Sequence, residues 1–236
     1  LVIEASILWR KSTMGNVQLI RLTTTAAFFD DQIPPAAGAS VSVYSENGLE
    51  FIFEEIEPGI YRNEKFVPQL NKTYNLEIEY KDEVYKATET LLPVASLEYI
   101  EQTDNGGFDG EDIEFKAYFT DPANIQNYYL VRFFYDDLSI QIYEDEFTDG
   151  NKTFAYFSNE DLTFGEDVGF EIQGISKRYY EYLFILRSQS GSGNGGPFQT
   201  QPTTVRGNIR NTTNPDNFAF GYFRLSETDF LDYTIQ

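Results

Sequence analysis

The residues of this chain that could do chemistry are almost all carboxylates, because the side chains most used by enzymes are missing. The 236 residues include no His and no Cys, against 38 Asp and Glu. Ser-His-Asp triads, Cys-His pairs and zinc sites built from these ligands are therefore excluded. Glycoside hydrolysis by two carboxylates stays open, although so many acids mark no particular pair. We assign no catalytic residue and predict a protein that is not an enzyme.

The stretch DNGGFDGEDIE, which begins at Asp104, holds the candidate metal ligands. Asp104, Asp109 and Asp112 offer hard oxygen atoms of the kind that calcium binds, and the glycines let the backbone fold around an ion. The spacing departs from an EF-hand loop, because Gly106 and Phe108 stand where that loop needs Asp or Asn. A solvated turn between domains explains the same residues. We expect no cofactor, with calcium as the alternative at this stretch.

Glycines crowd the start of SGSGNGGPFQTQPTTVRGNIRN, residues 190–211. A phosphate-binding loop needs a helix after the glycines and, in the P-loop, a Lys. Here the predicted helix precedes them and no Lys follows, so phosphate binding is disfavoured. The pattern indicates a flexible exit from a helix, followed by a rigid segment over residues 197–202 and a strand.

Aromatic residues are abundant, with 17 Tyr and 21 Phe, and this composition favours β-strands. Exposed aromatic rings can stack on sugars or anchor a partner, whereas most pack in the core or across strands. Phe28 and Phe29 stand in a predicted loop, so they are the interaction residues that we select.

The charge balance restricts the partners of this chain. Its net charge is −21, which repels phosphate backbones and anionic lipid headgroups, so we predict neither nucleic-acid binding nor direct membrane docking. No apolar run approaches the roughly 20 residues that a membrane-spanning helix needs. Because the chain starts without Met, we expect a mature form whose targeting segment lies upstream.

Alternating short strands and turns predict a mainly all-β fold in two domains. In ASVSVYSENG, Val41 and Val43 point to one face of a strand and Ser42 to the other. Several strands of this kind predict a β-sandwich over residues 1–92. Pro93 marks the expected boundary, and residues 93–236 form a second β-rich domain. This domain carries one helix near 177–189, capped by Ser176.

Two groups of residues resemble known families. Pro58, Gly59 and Tyr61, ahead of TYNLEIEY, resemble the immunoglobulin-like or transthyretin-like modules of extracellular bacterial proteins. Near the C-terminus, a helix, GGPF, a proline, VRGNI and FGYF follow one another in order. The matching residues are Gly196, Pro197, Phe198, Pro202, Val205, Gly207, Asn208, Ile209, Gly221, Tyr222 and Phe223. With LVIE, ASVSV and PGIY in the first half, this series resembles the domain-of-unknown-function 4249 family of Bacteroidota surface lipoproteins.

The resemblance implies an exported protein, attached to the outer membrane by a lipid on a cysteine upstream of this chain. Members of the family are often encoded beside TonB-dependent transporters, and no catalytic residues carry over from them. We therefore expect a cell-surface binding protein that helps such a transporter to capture a small molecule, peptide or glycan. A structural or adhesive β-sandwich protein is the second interpretation, and a carboxylate glycoside hydrolase is the third.

Overall fold

A computed structural model describes residues 1–27, 32–107, 110–135, 138–190 and 204–236. Strands dominate these residues and a single helix accompanies them, which confirms the all-β class. In chain order the elements are β1 (Val2–Arg10), β2 (Gln18–Thr23), β3 (Ser40–Ser45), β4 (Glu50–Glu57), β5 (Ile60–Asn63), β6 (Thr73–Tyr80), β7 (Glu83–Thr90), β8 (Leu97–Gly106), β9 (Asp112–Thr120), β10 (Tyr128–Phe134), β11 (Leu138–Glu144), β12 (Lys152–Asn159), β13 (Asp167–Gly174), α1 (Lys177–Ser190), β14 (Arg210–Asn211) and β15 (Phe220–Thr234).

The chain divides into two compact units, and the division is not a single cut. Unit 1 contains Leu1–Leu92 together with Glu181–Ser226, and unit 2 contains Pro93–Tyr180 together with Glu227–Gln236. The sequence analysis placed all of 93–236 in the second domain, whereas in the structure part of that segment belongs to unit 1. Residues 191–203, which include the glycine-rich stretch and the segment predicted to be rigid, lie outside the described residues.

Unit 1 is a sheet whose strands follow the order β15, β1, β2, β5, β4, β3, β6, β7, β14, and the neighbouring pairs from β1 to β14 are antiparallel. Period-two alternation places one side of each strand in a common core: on β3, Val41 and Val43 are buried and Ser42 points outward. Large aromatic side chains fill this core because they bury the most apolar area per residue. Its fully buried rings belong to Tyr61, Phe66, Tyr74, Tyr85 and Phe223.

Local turn and cap residues define the ends of these elements as expected from the sequence. β6 and β7 form a hairpin in which Tyr80 pairs with Glu83, and the two loop residues Lys81 and Asp82 both have positive φ. This is the backbone that a two-residue hairpin loop requires. The predicted helix is confirmed as α1, and Ser176 caps it because its Oγ accepts the N–H of Tyr179 at 3.3 Å.

Unit 2 is a sandwich of two antiparallel sheets. One sheet has the order β11, β10, β13, β15 and the other has the order β12, β9, β8. Aromatic rings fill the space between them: Phe133 stacks on Phe157 with ring centroids 4.9 Å apart, and Phe170 meets Phe133 edge-on at 5.6 Å. A sandwich of four and three strands is the arrangement of immunoglobulin-like folds.

Candidate functional site

The candidate site is an open groove on the outer side of unit 1, and the sequence of β4 creates it. In EFIFEEIE, Phe51 and Phe53 point into the core, so Ile52 and Glu54 must point outward. Apolar residues therefore occupy both faces of this strand, although only one face is covered. Ile52 consequently remains 59% exposed, and Ile56 on the same strand is 51% exposed.

The groove has a volume of about 660 Å³. Its lining comes from Leu49, Glu50, Phe51, Ile52, Glu54, Ile56, Arg62, Asn63, Glu64, Lys65 and Val67. Four of these side chains are apolar and at least half exposed, namely Leu49, Ile52, Ile56 and Val67. A contiguous exposed apolar surface marks a binding site more often than a scattered apolar residue does. The volume also lies in the range of small-ligand sites.

Arg62 is one of the charged side chains that line the groove. It lies opposite Glu54 in the register of β4 and β5, and its Nη2 forms an ion pair with Glu64 Oε1 at 2.8 Å. Its Nε is buried without a hydrogen-bond partner, alone among the side-chain nitrogen and oxygen atoms of the described residues. A buried donor without an acceptor is costly to the folded state, and because this Nε is itself covered, it presents no contact to a ligand.

Acidic groups outnumber basic ones along the groove. The lining contains three carboxylates, from Glu50, Glu54 and Glu64, and two cationic groups, from Arg62 and Lys65. At one end, Glu50 Oε1 accepts hydrogen bonds from Ser42 Oγ at 3.0 Å and from Tyr44 Oη at 2.8 Å. The bond from Tyr44 to this carboxylate raises the pKa of the phenol. The groove therefore suits a ligand with an apolar surface and some positive charge.

A second cluster, Asp121, Asp145 and Asp149, lies in unit 2, with one carboxylate oxygen from each residue within 4.8 Å of the others. Burial raises the pKa of Asp121, and Tyr129 Oη donates a short hydrogen bond to it. Other protein donors serve the rest of the cluster: the N–H of Asn127 binds Asp145 Oδ2 at 2.7 Å, and the N–H of Asn124 binds Asp149 Oδ1 at 2.7 Å. These bonds account for the cluster as a structural network that ties two loops together.

Of the residues selected from the sequence, the two that the structure describes, Asp104 and Asp112, belong to neither of these places. Asp104 lies on β8, where its Oδ1 accepts from Gln102 Nε2 at 2.6 Å, and Asp112 lies on β9, where its Oδ2 accepts from Ser158 Oγ at 3.2 Å. Asp109, Phe28 and Phe29 lie outside the described residues. Calcium binding at Asp104, Asp109 and Asp112 stays a prediction. Calorimetric titration of calcium into the wild-type protein and into Asp112→Asn tests it.

The C-terminal residues quoted for the family resemblance build part of unit 1. A Cβ on Gly207 would lie 1.7 Å from the carbonyl oxygen of Gly221, so the two backbones touch there. Asn208 closes the contact with two bonds to one residue: its Nδ2 donates to the carbonyl of Phe223 at 2.8 Å, and its Oδ1 accepts the N–H of Phe223 at 2.9 Å. We call Gly207, Asn208, Gly221 and Phe223 the clasp. The clasp fixes the backbone and the core packing of unit 1, and none of its contacts is directed at a ligand.

Comparisons with known proteins give one match over most of the chain. The model of a family described as "Domain of unknown function (DUF4249)" matches residues 1–229. No curated protein matches. Among solved structures, a two fibronectin type-III domain segment from chicken tenascin is 15% identical, covering 67% of this chain and 83% of that chain at a TM-score of 0.24. Of the described residues, none forms a helix long and apolar enough to cross a membrane.

Proposed function

This chain belongs to the DUF4249 family, and from that premise we propose that it is a non-enzymatic binding protein of the cell surface. In this proposal a lipid upstream of the chain attaches it to the outer membrane, and it assists a TonB-dependent transporter in capturing a ligand. The exposed apolar groove of unit 1 is the observation that supports a binding role. The family resemblance supports the location and the transporter.

The groove can supply useful binding energy without any catalytic group. Removing apolar surface from water yields about 25 cal/mol per Å². Since Ile52 and Ile56 are each more than half exposed, covering them contributes about 1–2 kcal/mol per side chain. Leu49 and Val67 extend the same surface.

Recovery of a transporter from outer-membrane extract tests this function. The wild-type chain serves as bait beside the double variant Ile52→Ser/Ile56→Ser. Ile125→Ser is the matched control, because Ile125 is 60% exposed but lies in unit 2 and away from the groove. We expect the wild type and the control to recover a TonB-dependent transporter, and the double variant to recover at least about thirtyfold less, as a loss of about 2 kcal/mol or more from two side chains implies.

Two results would count against the proposal. If the wild type recovers no TonB-dependent transporter, the accessory role is wrong. If all three baits recover it equally, the groove is not the contact surface. Turnover of a glycan panel that is lost with a carboxylate variant would instead establish the glycoside hydrolase interpretation.

A further inference from the structure

Four strands of the described residues have a neighbouring strand on one side only, namely β8, β11, β12 and β14. Such an edge presents unpaired N–H and C=O groups to any extended chain that meets it. Proteins ordinarily blunt these edges by shortening the strand, by register shifts, by charged side chains or by covering the backbone. Each of the four edges can therefore be compared with these protective features.

Three of the four edges are blunted. β14 has only two residues, which is too short for stable addition of a further strand. β8 has two register shifts against β9 and exposes Glu98 and Glu101 along its length. β12 is covered at Tyr156, whose carbonyl accepts from Gln141 Nε2 at 2.8 Å and whose N–H donates to Tyr143 Oη at 3.2 Å.

The fourth edge, β11, is neither shortened nor shifted in register. Its seven residues pair with β10 without a register shift, from Leu138 opposite Phe134 to Glu144 opposite Tyr128. The sequence LSIQIYE contains no Lys, Pro or Gly, and its only charge is the final Glu144. Two apolar side chains on one face of the strand, Leu138 and Ile140, are 47% and 42% exposed. β11 is thus a regular, nearly uncharged edge with apolar side chains beside it.

We propose that β11 is a strand-addition site for an extended segment of a partner polypeptide, with apolar residues alternating along it and Lys or Arg at its ends. In strand addition, main-chain hydrogen bonds between β11 and the partner segment would supply affinity. Leu138 and Ile140 would contact alternate side chains of that segment. The proposal concerns unit 2 and does not depend on the groove of unit 1.

Charge selects this occupant over a second copy of the chain. Glu144 ends the strand and the exposed Glu146 follows it, within a molecule of net charge −21. Edge-to-edge pairing of two copies would bring together two molecules that each carry a net charge of −21, and this repulsion opposes self-association. A cationic segment instead gains complementary contacts at the end of the strand and is attracted from a distance.

Three peptides of matched length test the inference on the full chain. The probe is Lys-Val-Thr-Val-Thr-Val-Lys, blocked at both ends. One control replaces the central Val by Pro, which removes an N–H and disrupts strand pairing, and the other replaces both Lys by Glu. We expect saturable binding of the probe with Kd below about 1 mM, and at least about tenfold weaker binding of each control.

Amide hydrogen exchange and protein variants locate the binding. The probe should slow exchange within Leu138–Glu144, and Ile140→Lys should weaken binding about tenfold, since Lys on an edge opposes pairing. Two variants should bind the probe as the wild type does: Ile125→Lys, at a more exposed isoleucine outside β11, and the groove variant Ile52→Ser/Ile56→Ser.

Several outcomes would overturn the inference. These are the absence of saturable binding, equal binding of the Pro control, or protection that falls on β4 instead of β11. A wild-type dimer in sedimentation that Ile140→Lys dissociates would show that a second copy of the chain occupies this edge.

Discussion

Removal of the Asn208 side chain gives the sharpest test of how unit 1 is held together. Asn208 is 8% exposed, and both ends of its amide are bonded to the backbone of Phe223. Asn208→Ala removes both bonds and leaves a buried N–H and a buried C=O without partners. Asn208→Asp keeps an acceptor for the N–H but loses the donor, and places a carboxylate oxygen against the Phe223 carbonyl.

The magnitude follows from the number of groups left unpaired. Each buried polar group without a partner costs about 1–3 kcal/mol, so we expect Asn208→Ala to lose about 3 kcal/mol of unfolding free energy. At about 2–4 °C per kcal/mol for a chain of this size, Tm should fall by roughly 6–12 °C. Asn208→Asp should lose at least as much at neutral pH. It should recover part of the loss in acid, because a protonated carboxyl can again donate to the Phe223 carbonyl.

Urea unfolding followed by tryptophan fluorescence measures the effect in the relevant unit. The chain has a single Trp, and Trp9 packs against the core of unit 1. Asn75→Ala is the control, since Asn75 is exposed on β6 and its loss should stay within about 0.5 kcal/mol. A loss below about 0.5 kcal/mol for Asn208→Ala, or an Asp variant as stable as the wild type at neutral pH, would refute the reasoning.

Three further predictions concern other parts of the chain. Tyr129→Phe keeps the buried ring but removes the donor to Asp121, so the unfolding free energy should fall by about 1.5–3 kcal/mol in urea titration; an unchanged value would contradict the network. Gly221→Ala should lose about 2 kcal/mol or more by the same measurement, because φ is +92° and the new Cβ would lie 2.0 Å from the Ile3 carbonyl oxygen; an intact Tm would contradict this. Glu83 accepts bonds from Tyr85 and three Asn side chains, which lower its pKa below 4.5. Its contribution to stability is present above pH 4.5 and lost as pH falls through the lowered pKa. The protection factors of the β14 amides, which correct for the slower intrinsic exchange in acid, should therefore fall in acid, and in Glu83→Gln at neutral pH; equal protection factors in all cases would be inconsistent with this anchor.

Local patterns in the sequence predicted individual strands and the helix, but they did not predict which distant segments pack together. Alternation identified β3, and Ser176 marked the start of α1. The return of Glu181–Ser226 to unit 1 was not foreseen. It depends on β14, which is two residues long, and on bonds from Asn214 and Asn217 to Glu83. Pairing between residues so distant in sequence leaves no periodic signal.

The candidate site was hidden for a different physical reason. On β4, Phe51 and Phe53 alternate with outward apolar residues such as Ile52, so both faces of the strand look suited to a core. The sequence shows this two-sided pattern but not which face another layer covers, because coverage depends on the tertiary arrangement. The acidic cluster of unit 2 was missed because Asp121 and Asp145 belong to different loops.

The clasp also explains why family membership says little about the ligand. Asn208, Ile209 and Phe223 are buried, and Gly207 and Gly221 permit the close approach of two backbones. Residues of this kind are required by packing whatever the protein binds, so they identify the fold and leave the ligand open. The groove along β4 and the edge of β11 consist instead of exposed side chains and backbone that the packing of each unit does not require. If both are contact surfaces, Ile52→Ser/Ile56→Ser and Ile140→Lys should each weaken one interaction while leaving Tm within about 1 °C of the wild type, as surface substitutions ordinarily do.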